Sequence, residues 1–390
     1  MRRPDGVGAA VVSVEIIPVA GIGKFMTFCR IPRQIYKGMD GFAAPLDAER
    51  WTAFAGKFNP HFKLVDSQAF IARKDGRWVG RILAQIYKDG WKPVDTSPAQ
   101  FGCLDAINDE EVVTALLNAA EDWLKARGAD TIVGPFSPSV NAESGMLIDG
   151  FTALPMIFVP WNPPYLPELV EAAGYSKARD LYSYRYDVRA SDREVKGSIM
   201  ARPEWAQRLK IRTLDLKNLK SEAPIIVDIF NDGWAENWGF VPFTLEEFLS
   251  VADGLKYVMP ENGGFMVELD GVPQAFGIVL PNLHEILADF DGTLLPFGLP
   301  KVISRVRNHA FKSGRLALFG IRRALHRKAV GGVVILAFIE ELRRRSRSSS
   351  IDHVEFGWVL EDNAGMRRPI EFSGAQVDKI HRVYEKHLSA

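Results

Sequence analysis

Apolar and polar residues alternate, cluster and break along this chain in an order that repeats once. AFIARKDGRWVG (69–80) reads as a strand, an Asp-Gly turn and a second strand, and GFMVELDGVPQAFG (264–277) has the same grammar. Phe70 and Asp75 stand at one common offset from Phe265 and Asp270. Further on, LVEAAGYSKARDLYSY (169–184) echoes PIEFSGAQVDKIHRVY (369–384), pairing Glu171 with Glu371 and Gly174 with Gly374 at a second, nearly equal offset. Two matches in the same order predict two copies of one domain-sized unit, residues 1–188 and 209–390, joined by a linker over 189–208.

Each copy predicts the same elements. The first opens with strand VSVEIIPV and a helical stretch through RIPRQIYK, then the hairpin and strand AQFGCLDAI. EEVVTALLNAAEDWLKARG follows, with Val112, Leu116, Ala119, Ala120, Trp123 and Leu124 at helical spacing and Gly128 as a stop. Strand TIVGPFS, helix PPYLPELVEAAG and strand ARDLYSYRYDV complete the unit. The second copy runs LKIRTLDL, the stretch NLKSEAPIIVDIFNDGWAENWGF, the hairpin and RLALFGI. After these come the helix HRKAVGGVVILAFIEEL, strand HVEFGWVL, helix NAGMRRPIEFSG and a last strand. A mixed α/β sheet with helices on both faces is the packing that this order implies.

Composition narrows the class. The 390 residues are 47% hydrophobic and 25% charged, with Lys plus Arg equal to Asp plus Glu at 48 each, so no overall field draws the chain to DNA or to an anionic membrane. Cys29 and Cys103 form neither a metal-ligand spacing nor a disulfide framework, and the seven histidines form no triad, so no metal is expected. Asp5 and Glu15 bracket the apolar run after the two N-terminal arginines, unlike a signal peptide, and no run reaches the about 18 residues of a membrane helix. A cytoplasmic protein is the expectation. ELRRRSRSSS (341–350) lacks the interleaved aromatics of an RNA surface and reads as a solvated helix end.

The order β-α-hairpin-β-α-β-α-β, with a glycine turn between the fourth strand and its helix, resembles the GNAT acyltransferase fold over nearly the whole chain as two tandem copies. FNDGWAENWGF and WVLEDN are similar to stretches that mark a group of bacterial tandem GNAT-like proteins, and Fem-type aminoacyltransferases also pair two such domains. The resemblance implies acetyl-CoA or another acyl-CoA as co-substrate. Its diphosphate loop falls on Arg327, Lys328, Val330, Gly331 and Gly332, and its pantetheine edge on Phe319, Gly320 and Ile321. At the first copy's corresponding junction, AINDEEVVTALL, Asp109, Glu110 and Glu111 cap a helix start and would repel a phosphate. The tyrosine acid common in the family is replaced by Ile370 and Val170.

Glu361 and Asn363 follow the strand that would splay from the coenzyme strand, Glu361 as a proton acceptor if burial raises its pKa and both as members of a capping sequence. Trp234, Glu236, Asn237 and Trp238 fall where such proteins cover the acceptor, and Asn141 and Glu143 where the first copy could face the cleft. The implied function is acyl transfer from acyl-CoA to a small amine or amino-acid-like acceptor, the second copy binding acyl-CoA and the first shaping the pocket. A non-catalytic acyl-CoA or nucleotide sensor and a Fem-like transferase using aminoacyl-tRNA are the alternatives.

Overall fold

The computed structural model describes residues 13–189, 198–215, 218–255, 258–294 and 298–388. The first copy comprises β1 (Glu15–Pro18), α1 (Gly21–Ile35), α2 (Asp47–Phe54), β2 (Val65–Lys74), β3 (Arg77–Tyr87), β4 (Ala99–Ala106), α3 (Glu110–Lys125) and β5 (Thr131–Gly134). Short strands β6 (Phe136–Ser137), β7 (Glu143–Ser144) and β8 (Met146–Asp149) follow, then α4 (Tyr165–Ala172) and β9 (Ser176–Asp187). A short α5 (Pro203–Ala206) leads into the second copy: β10 (Leu209–Thr213), α6 (Leu219–Trp234), α7 (Leu245–Leu255), β11 (Gly264–Leu269) and β12 (Val272–Pro281). It continues through an inserted α8 (His284–Leu287) and α9 (Gly298–Asn308) to β13 (Ser313–Ile321), α10 (Ala329–Arg347), β14 (His353–Leu360), α11 (Ala364–Phe372) and β15 (Gln376–His387). Of the expected linker, residues 190–197 lie outside the described residues, as do the first twelve residues of the chain.

The duplicated signals occupy equivalent places. Asp75-Gly76 and Asp270-Gly271 both take positive φ at the tips of β2–β3 and β11–β12, the geometry of tight hairpin turns. Gly174 and Gly374 both take the left-handed conformation that ends α4 and α11.

The two copies share one sheet and exchange their last strands. Strand order is β1-β2-β3-β4-β5-β15-β9-β14-β13-β12-β11-β10, with β8 also on β15. The C-terminal strand β15 therefore pairs with β5 of the first copy, and β9 pairs with β14 of the second. Between them β9 and β15 run antiparallel over most of their length. The sequence repeats divide near 189–208, but neither copy's sheet is complete without the other, since each would expose an unpaired edge in its middle.

The sheet opens in the second copy. The parallel pairing of β13 with β14 ends at Leu316–Phe356. At that level the register of β12 against β13 shifts, pairing Ile278 with Leu318 and Val279 with Leu316, so Ala317 is a bulge. The register of β14 against β9 shifts there too, between Phe356 and Val359. Beyond this point the two strands diverge. In the first copy the same gap is filled: a Cβ on Gly102 of β4 would lie 1.7 Å from the carbonyl oxygen of Phe136, and the Cys103 amide donates to Ser137 Oγ at 2.8 Å. Only a residue without a side chain lets β6 plug that space.

Candidate functional site

A cavity of about 1160 Å³ enters the divergence of β13 and β14 and extends along both faces of the sheet. At one end stands the start of α10, where Lys328 is the N-cap and supplies no side-chain cap. The first helical amides, from Ala329 to Gly331, have no intrahelical carbonyl to bond, and the ladder begins with Gly332 donating to Lys328 O at 3.3 Å. Arg327, Lys328, Gly331 and Gly332 line the cavity here, and Arg327 and Lys328 make no ion pair among the described residues. Unpaired amides, a helix dipole and two free cations fit an anionic diphosphate.

The two glycines have different reasons. A Cβ on Gly331 would lie 2.1 Å from the backbone carbonyl oxygen of Leu325, whereas one on Gly332 meets nothing within 4 Å. Gly331 is thus a close-packing position and Gly332 the one that faces open space. Val330 packs against the second-copy core and is not part of the cavity wall.

The open edge of β13 follows. Arg322 donates its amide to Gln274 O, toward β12. Successive strand residues alternate, so Ile321 and Phe319 turn their backbone groups to the open side while Gly320 faces β12. The carbonyl of Phe319 is taken by the Trp234 indole at 3.0 Å. The amides of Phe319 and Ile321 are left for an extended ligand such as pantetheine. Gly320 is absent from the cavity wall: its missing side chain makes room for Phe276, Ile229 and Phe230.

Trp234 and Trp358 meet edge to face across the opening, with centroids 5.7 Å apart. Beyond them the cavity follows α6 into an apolar arm between α6, α7 and β12. On the other side it is lined by residues of the first copy, including Asp95, Asn141, Phe158 and Arg179. Asn237 and Trp238 join this mouth; the Arg179 guanidinium lies 5.5 Å from the Trp238 ring centre, and Asn141 donates to Val241 O at 3.3 Å. Where the strands part, Arg315 also lines the cavity while buried. It donates to Ile157 O at 2.7 Å and Gly357 O at 3.0 Å, and stands beside Glu355, whose other oxygen accepts from buried Lys379 at 2.6 Å. Arg315 Nε and Glu355 Oε1 face each other at 3.5 Å without forming a hydrogen bond, and burial depresses the Arg315 pKa against the opposing pull of Glu355.

Several expected site residues are placed elsewhere. Glu361 does not line the cavity; it accepts from Lys177 at 2.6 Å and from the Asp180 amide at 3.1 Å, so both its oxygens are engaged away from the site. Asn363 borders the cavity but its side chain caps α11, accepting from the Met366 amide at 3.2 Å. Glu143 grips Arg50 through two hydrogen bonds and faces a separate cavity of about 230 Å³ lined by residues of both copies. Glu236 lies at the mouth but is paired with Arg323 at 2.9 Å. Part of the charge of the basic segments 321–328 and 343–347 is taken up in the same way: Arg322 pairs with Asp228, and Arg344 and Arg345 share Glu341. At the first copy's junction Asp109 accepts from the Glu111 and Val112 amides and from Lys74, so that helix start is already satisfied.

Asp95, Phe158, Arg179, Arg315 and the bulge at Ala317 carry no local sequence signal; they reach the site through pairings distant in the chain. Among the described residues no cluster of three or more His, Cys, Asp or Glu is arranged to hold a metal, and no helix is long and apolar enough to cross a membrane.

No family model matches the chain. A tandem GNAT protein from the clavulanic acid biosynthesis pathway superposes with a TM-score of 0.56 at 14% identity, covering 97% of this chain and 99% of that one. A GCN5-related N-acetyltransferase from Sphaerobacter thermophilus gives 0.51 at 13%, covering 96% of each. At those identities the likeness is one of fold, and the fold is that of tandem GNAT acyltransferases. In sequence the chain is 35% identical over 385 residues to the bacterial ceramide synthase of Caulobacter vibrioides, covering 96% of this chain and 98% of that protein. It is also 37% identical over 364 residues to the YghO protein of Escherichia coli, covering 93% and 92%. The chain belongs to the tandem GNAT-like family that includes YghO and the Caulobacter bacterial ceramide synthase.

Proposed function

We propose that this protein is an acyl-CoA-dependent N-acyltransferase whose acceptor is an amine with an alkyl tail. One observation carries the reading: the cleft that suits coenzyme A opens without interruption into a cavity of about 1160 Å³ with mostly apolar walls, more space than an acetyl group and a small amine or amino acid together require, and enough for the hydrocarbon of both substrates. The relative named bacterial ceramide synthase supports the same substrate class.

In this reading Arg327, Lys328, Gly332 and the α10 amides hold the diphosphate, and the Phe319 and Ile321 amides hold the pantetheine arm. The amine nitrogen adds to the thioester carbonyl carbon, and the C–S bond breaks. The departing thiolate takes the proton released from nitrogen, directly or through water. The backbone around Ala317, released from regular pairing, supplies the donor for the developing oxyanion. Glu361 has no part in it. Asn141, Asn237 and Arg315 orient the polar end of the acceptor, which gives the first copy a binding role.

The second reading, a sensor that binds acyl-CoA without turnover, draws on Ile370 and Val170 at the tyrosine positions and on the engaged state of Glu361. Incubation with palmitoyl-CoA and a series of alkyl amines separates the two. The transferase releases coenzyme A thiol and forms amide in equal amounts, only when amine is present. Tight acyl-CoA binding with no amine-dependent thiol release would establish the sensor instead.

A further inference from the structure

We propose that the apolar arm along α6 receives the alkyl chain of the acyl-CoA, and that Ile226 and Val251, on its opposite walls, set the chain length accepted. This inference rests on the acyl-CoA reading above.

Leu219, Glu222, Ile226, Phe230 and Gly233 all line the cavity, and their spacing of three and four places them on one face of α6. At 1.5 Å per residue that face is about 21 Å long. Its C-terminal part flanks the open edge of β13: a Cβ on Gly233 would lie 2.5 Å from Ile321 O, and one on Gly320 would lie 3.3 Å from Phe230 Cα. The part from Ile226 to Leu219, about 10 Å by the same rise, lies deeper than the pantetheine edge. Phe248, Val251 and Leu255 of α7 form the facing wall, and Ile278 and Leu280 of β12 the floor.

The chemistry of the walls separates the two substrates. In the deep part the polar side chain among the described lining residues is Glu222, and both its oxygens are held by Arg212, at 2.5 and 3.0 Å. An amine or hydroxyl placed there would lose water without gaining a partner, which is costly; a hydrocarbon chain loses nothing. The polar groups able to meet an acceptor, Asn141, Asn237, Asp95 and Arg315, stand on the opposite side, at the first-copy mouth and the strand junction. A chain of single bonds advances about 1.2 Å per bond when extended, as three-bond residues span about 3.3–3.6 Å, so 10 Å of arm matches about nine carbons.

The test measures binding of coenzyme A, octanoyl-CoA and palmitoyl-CoA to the wild type, Ile226→Trp and Val251→Trp by calorimetry. Each methylene that enters the arm should raise wild-type affinity about fourfold until the arm is full. Both variants should bind coenzyme A as the wild type does, which also certifies their fold, while their gain with chain length stops up to about nine carbons earlier. Val251 is 42% exposed, so a tryptophan there has room even if Ile226→Trp does not fold. Unchanged chain-length dependence in Val251→Trp would overturn the inference and leave the acyl-CoA reading standing. Failure of the wild type to bind any of the three would remove both.

Discussion

The same substitution at two neighbouring glycines should have opposite effects. In Gly331→Ala the new methyl would lie 2.1 Å from the Leu325 carbonyl oxygen and 3.0 Å from its carbon. Both are backbone atoms of a turn whose Leu325 side chain is buried, so no rotamer change relieves the contact. Either the turn or the start of α10 must move, a strain of about 1–3 kcal/mol by the usual cost of overpacking. In Gly332→Ala the methyl enters open space, and replacing a helical glycine by alanine gains up to about 1 kcal/mol. Both glycines are helical, so that gain is common to the two variants, and they should differ by the strain alone, about 1–3 kcal/mol in unfolding free energy, with Gly332→Ala above the wild type and Gly331→Ala below it. Urea denaturation followed by far-ultraviolet circular dichroism reads the difference. Equal shifts, or a larger loss for Gly332→Ala, would refute the assignment of Gly331 to packing and Gly332 to the open face.

Charge reversal at Asp109 and Glu110 should destabilise the start of α3, where Asp109 caps two amides and pairs with Lys74, yet leave acyl-CoA affinity unchanged; a large change in affinity would place the ligand in the first copy. Residues 1–188 expressed alone should be insoluble or self-associated, because β5 and β9 lose β15 and β14, and co-expression with 198–390 should restore a one-to-one complex on size exclusion. A well-folded, monomeric first half would contradict the strand exchange. His61 and His381 are buried, and burial pulls both pKa values down to about 4, against about 6.5 in the unfolded chain. Between these values the unfolded state binds more protons, so stability should fall as pH drops from about 6.5 to 4, by roughly 3 kcal/mol per histidine, and level off below. His381→Asn should flatten that slope in pH-dependent urea melts; an unchanged slope would show that His381 is already charged in the fold.

The duplication was legible because its signals are local: a turn needing positive φ at Asp75 and Asp270, and helix ends at Gly174 and Gly374, each stand within a few residues of what they serve. The strand exchange was not, since β9 and β15 have similar patterns and nothing in either specifies which β-strand lies beside it. The apolar arm was hidden for a related reason. Ile226, Phe230 and Phe248 have the periodicity of core residues, and periodicity cannot distinguish a filled core from one with a channel through it. Glu361 and Glu143 looked available because their partners, Lys177 and Arg50, are far away in sequence. The glycine pair was found, but only contact with the Leu325 carbonyl separates its two roles.

The proposed transferase has one acyl-CoA site per chain, built at the start of α10 in the second copy. Calorimetric titration of coenzyme A into the wild type and Gly332→Asp tests it most directly, because the aspartate enters open space and adds negative charge where the diphosphate would sit. The wild type should bind one equivalent, more weakly as salt rises, and a Gly332→Asp variant of unchanged stability should show no measurable binding. Two equivalents in the wild type, or undiminished binding in the variant, would contradict it.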